Sequence, residues 1–90
     1  MEKLDCSFNF ISDLIELSMC HTLKSVDLSN NEVEEEDNIS FLASLTMLTY
    51  INISNNPIGS KDDYLPTLRK YLSHVDKIET DNNEFLRSNN

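Results

Sequence analysis

The sequence predicts an α/β fold in which a parallel sheet gains one short strand from each of about four repeats. Three observations predict it. An eleven-residue pattern returns along the chain, in "MEKLDCSFNFI", "LKSVDLSNNEV", "LTYINISNNPI" and "VDKIETDNNEF". Within each copy, apolar and polar residues alternate at positions 4 to 7, as a strand with one buried face requires. Each copy closes on asparagine with no Gly-containing hairpin turn, so successive strands do not pair as hairpins and instead stack in parallel.

The copies start at Met1, Leu23, Leu48 and Val75, at intervals of 22, 25 and 27 residues. Their inward pairs are Leu4 and Cys6, Val26 and Leu28, Ile51 and Ile53, Ile78 and Thr80. Where a strand ends and the chain turns away, backbone groups are left in a partly buried place and need partners. Asn9, Asn31, Asn56 and Asn83 stand at that point, and an amide side chain carries two donors and an acceptor. They are expected to form a structural ladder from repeat to repeat.

The segments returning from each strand differ in length. In the first, Leu14, Leu17 and Cys20 lie three apart, a period that fits a 3-10 or short α-turn. The second carries the acidic run Glu32, Glu34, Glu35, Glu36 and Asp37 ahead of Ile39, Leu42 and Leu45, so a solvated loop should lead into a short helix. The third opens on Asn56-Pro57 and places Tyr64, Leu68, Tyr71 and Leu72 at i, i+4, i+7 and i+8 of a helix. Asp62 or Asp63 would cap that helix, with Pro66 in its first turn.

These copies, with their spacing, resemble the leucine-rich repeat family, in its short subclass of about 22 residues. The stretch from Asn56 resembles the C-terminal cap motif of such proteins, matching at Asn56, Pro57, Tyr64, Leu68, Leu72, Val75 and Ile78 and departing at Leu65, Ser73 and Glu79. Families with this cap include the acidic nuclear leucine-rich phosphoproteins, the A-prime splicing subunit of the U2 particle and the leucine-rich light chain of axonemal dynein. The resemblance implies a solenoid with its sheet on the concave side, short helices on the convex side, and non-catalytic protein binding. One domain is expected over residues 1–85, with a cap region at 56–85 and a flexible tail at 86–90.

Bulk properties narrow the function further. Sixteen acidic against seven basic residues give a net charge of −9, which disfavours direct contact with nucleic-acid phosphates. A single glycine removes Gly-rich phosphate loops, and no apolar run approaches the roughly 20 residues of a membrane span. Met1 is followed by no leader pattern, so an intracellular place, cytoplasmic or nuclear, with Cys6 and Cys20 reduced, is expected. Both cysteines fall at inward positions and act as small hydrophobes. Two cysteines and two histidines do not make a zinc set, and no cofactor or catalytic residue is expected.

Odd strand positions should face outward in rows. Position 3 gives Lys3, Ser25, Tyr50 and Lys77; position 5 gives Asp5, Asp27, Asn52 and Glu79; position 7 gives Ser7, Ser29, Ser54 and Asp81. From these, with Phe8 nearby, the expected partner-binding residues are Asp5, Phe8, Asp27, Ser29, Tyr50, Asn52, Lys77 and Glu79. An acidic stripe with an aromatic anchor fits a basic or amphipathic protein segment. The alternative is a structural subunit of a ribonucleoprotein or motor complex, docked through its convex face and its amino-terminal edge. That edge has no preceding helix to cover Leu4, Cys6, Ile11 and Leu14, and would be closed by another chain, by self-association or by further repeats.

Overall fold

The computed structural model describes residues 3–7, 9–62 and 64–81 together with the backbone of 84–86. Four strands, β1 (Lys3–Asp5), β2 (Ser25–Asp27), β3 (Tyr50–Asn52) and β4 (Lys77–Glu79), lie side by side in chain order and run parallel. Their register aligns Leu4, Val26, Ile51 and Ile78 in one row, with the position 3 and position 5 residues in rows on either side of it. The α/β repeat architecture expected from the periodicity is therefore present. A fifth strand, β5 (Glu84–Leu86), pairs antiparallel with β4. Leu86 thus belongs to the sheet and not to a tail; 87–90 lie outside the described residues.

Asparagine ends the strands for two separate reasons. Asn30 and Asn55 adopt φ of 60° and 58°, the left-handed region that asparagine tolerates better than most residues after glycine. Next in sequence, Asn31 and Asn56 are buried rungs. Asn31 Nδ2 donates to the carbonyls of Cys6, Leu28 and Ser29, and its Oδ1 accepts from the Ile11 amide. Asn56 repeats the scheme with the Leu28, Ile53 and Ser54 carbonyls and the Val33 amide. Asn9 donates to the Cys6 and Ser7 carbonyls of its own repeat, while Asn83 lies outside the described residues.

The return segments form a 3-10 turn (Ile15–Met19), α1 (Asp37–Ala43), a second 3-10 turn (Pro57–Ser60) and α2 (Tyr64–Tyr71). α1 packs beside the first turn and α2. Together with the inward strand residues they close a core that includes Leu23, Val26, Leu28, Ile39, Leu42, Ile51, Ile53, Ile58 and Leu68. Asn38, on α1, is buried too: its Oδ1 accepts from the Leu14 amide, and its Nδ2 donates to the Ser12 and Glu35 carbonyls, tying the first two return segments together.

Tyr71 departs from its expected core position and is 40% exposed. Leu65 packs against the core instead, which rotates the apolar arc of α2 towards Tyr64, Leu65, Leu68 and Leu72 and leaves Tyr71 at its border. The Lys70 ammonium sits over the Tyr71 ring at 5.4 Å from its centroid. Asp63 lies outside the described residues.

Candidate recognition face on the sheet

The central residues of β2, β3 and β4 are buried while their neighbours stay partly accessible, so positions 3 and 5 line the outer face of the sheet. Asp5, Asp27, Asn52 and Glu79 stand in one row across four adjacent strands. The register places Tyr50 between Ser25 and Lys77 in the companion row. Burial, then the neighbouring Glu79 carboxylate, raises the pKa of its phenol. Lys77 Nζ lies 3.2 Å from Glu79 Oε1, an ion pair along β4 that offsets part of the acidic charge at that end.

The position 5 side chains also build the turns. Asp27 Oδ1 accepts from both the amide and the hydroxyl of Ser29, at 3.0 and 2.6 Å. Asp5 does the same with Ser7, at 3.0 and 2.7 Å, and these bonds hold its carboxyl below the usual range. Asn52 Oδ1 accepts from the Ser54 amide at 3.0 Å. Each is an Asx turn, in which a side-chain oxygen stands in for a backbone acceptor. The Asp-x-Ser and Asn-x-Ser spacing in the sequence carries this signal, and periodicity alone passes over it.

One expected site residue moves as a result. Ser29 is buried, drawn under the turn by its bonds to Asp27, and is not part of the exposed face. Asp5, Asp27, Tyr50, Asn52, Lys77 and Glu79 keep at least partial exposure on that face. Phe8 lies outside the described residues.

Elsewhere, Glu32, Glu34, Glu35 and Asp37 of the acidic run are exposed, as a solvated loop requires. Asp13, Glu32, Glu34, Glu35 and Asp37 line a cleft of about 480 Å3 with Ser12, Asn38 and Phe41. Among the described residues, no group of histidine, cysteine and carboxylate side chains is arranged to hold a metal ion. Cys6 and Cys20 are free thiols, and burial pushes the Cys6 thiol up, which opposes thiolate chemistry. Among the described residues no helix is long and apolar enough to cross a membrane.

A family model described as Leucine Rich repeat matches residues 20–37 and 44–62, the segments that hold β2 and β3 with their turns. No curated protein matches the chain. Among solved structures, the chain is similar to one titled "Structure of Chaetomium Mex67:Mtr2 subunits", with 21% sequence identity and a TM-score of 0.73. That likeness covers 94% of this chain and 56% of the other, so the chain spans little more than half the length of the structure it matches. At this identity the likeness speaks for the fold alone. With one parallel strand per repeat and a side-chain ladder between repeats, the matched segments support a leucine-rich repeat protein.

Proposed function

We propose that the outer face of the sheet binds a basic protein segment, with Tyr50 as its anchor and Asp5, Asp27 and Glu79 as its charged surround. Leucine-rich repeat domains are in general non-catalytic modules of protein–protein interaction, and repeat arrays use their extended concave surface for it. The observation that carries the reading is the register: Tyr50 shares β3 with Asn52, between Asp27 on β2 and Glu79 on β4. An aromatic side chain that is already half-buried loses little freedom on contact, and aromatic residues dominate binding hot spots. Carboxylates around it select positive charge and speed encounter.

The finer assignments belong to the same reading. α2 followed by β4 and the antiparallel β5 supports a C-terminal cap of the short-repeat type. Free thiols at Cys6 and Cys20 fit a reducing compartment, the cytoplasm or nucleus.

Affinity capture from the native cell tests the face. Tyr50→Ala should lower recovery of the bound protein by about tenfold or more, as for a hot-spot residue. The pair Asp27→Asn and Glu79→Gln should weaken capture and flatten its salt dependence. Equal capture by all variants would show that partners bind elsewhere.

A further inference from the structure

Resting on the outer-face reading above, we infer the form of the partner: an α-helix laid across the strands, with two basic residues one turn apart over Asp5 and Asp27 and an apolar residue a further turn on over Tyr50. The direction in which charge repeats is the first support. In register, position 5 gives Asp5, Asp27, Asn52 and Glu79, while position 3 gives Lys3, Ser25, Tyr50 and Lys77. Along β1 and β4 the sign alternates instead, Lys3 with Asp5 and Lys77 with Glu79. A basic segment running with either strand meets a lysine two residues from the carboxylate, whereas one that crosses the strands follows the acidic row. The lysines at both ends of the position 3 row keep the partner's positive charge to one flank.

The carboxylates differ in what they already hold. Asp5 and Asp27 each give Oδ1 to the amide and hydroxyl of the serine two residues on, and among the described residues nothing donates to Oδ2 of either. The turn fixes each side chain before a partner arrives, so a charged hydrogen bond to Oδ2 costs little ordering. Glu79 is engaged, by the Lys77 ammonium at 3.2 Å and by the Tyr50 phenol. In this row the open negative charge therefore lies on β1 and β2, with the Tyr50 ring next in line on β3.

Strand spacing selects the helix. Neighbouring strands lie about 4.8 Å apart, so β3 stands about 9.6 Å from β1. Residues i+3 and i+7 of a helix lie about 4.5 and 10.5 Å along its axis from residue i, which meets the second and third strands to within about 1 Å. An extended segment spaces its same-side residues about 6.6 Å apart and has drifted by about 3.6 Å at the third strand.

A stapled peptide helix of about fifteen residues, with lysine at i and i+3, leucine at i+7 and otherwise alanine and glutamine, is the probe. It should saturate one-to-one and shift the amide resonances of β1 to β3. An isomer with the second lysine at i+2 and the leucine at i+5 keeps the composition but turns both side chains away from the sheet, and should bind about tenfold more weakly. Asp27→Asn, which retains the acceptor that the turn needs, should weaken the in-register helix about three- to fivefold and leave the isomer unchanged. Equal binding of the two helices overturns the inference. So does tighter binding of an extended peptide carrying the same residues at i, i+2 and i+4; loss of that binding in Tyr50→Ala would leave the outer face standing as a site for basic segments. Absence of saturable binding by any of the peptides also overturns the helix, and capture from the native cell then judges the face by itself.

Discussion

Asn31 and Asn56 show how much backbone a single side chain can satisfy. Replacing Asn56 by Ala strands the Val33 amide and removes donors from three carbonyls, in a place where Asn56 is 5% exposed. Urea unfolding should therefore show a loss of about 2–4 kcal/mol for Asn56→Ala, and about 1 kcal/mol or less for the exposed Asn9→Ala. Similar losses at the two sites would refute the ladder as a load shared by internal repeats. Position 9 was legible because it recurs at a fixed place in every copy. Asn30, Asn55 and Ser29 were not: a backbone φ and a hydroxyl folded under its own turn leave no trace in apolar spacing. Asn38 was hidden for another reason, since its partners Leu14 and Ser12 come from a different repeat.

The same divide appears in whole elements. The first 3-10 turn and both helices fall in the expected return segments because their apolar positions follow helical periods, while the second 3-10 turn begins at the Asn56-Pro57 step. The border of α2 was less clear, as 100° per residue puts Tyr71 near the core face until Leu65 widens the arc on the other side. Beneath the second 3-10 turn, the only glycine has a specific duty. A Cβ at Gly59 would stand 2.7 Å from Asp81 Oδ2, and the other oxygen of that carboxylate accepts from the Asn55 amide. Gly59→Ala should displace the exposed Asp81 carboxylate and lower stability by about 1 kcal/mol or less, the scale of its hydrogen bond from the Asn55 amide. An unchanged thermal midpoint would mean that Asp81 yields freely. Composition showed only that glycine was scarce.

At the scale of the whole molecule, the parallel order of β1 to β4 followed from four copies and intervals too long for hairpins. β5 escaped notice because it begins within the last two residues of the fourth copy, Glu84 and Phe85, which in the other copies lie past the strand. One buried group links this architecture to solution conditions. Burial, and the negative Asp81 nearby, raise the pKa of the Tyr64 phenol well above the usual range. The folded chain thus keeps a proton that the unfolded chain gives up above about pH 10. The stabilisation is complete below that pH and is lost as pH climbs towards the folded-state value. Thermal melts between about pH 9 and 11 should show a steep decline that Tyr64→Phe makes shallower. Parallel declines in both proteins would assign the alkaline loss to the remaining charges.

The Asx turns have a consequence for how such a domain diverges. A turn of this kind asks its side chain only for an acceptor oxygen, which aspartate and asparagine supply equally; Asn52 does for β3 what Asp27 does for β2. Exchanging one for the other therefore alters the electric field of the face while the scaffold stays fixed. On the proposed binding face, partner preference is then adjustable one unit of charge at a time, with no change to the turn that holds the strand end.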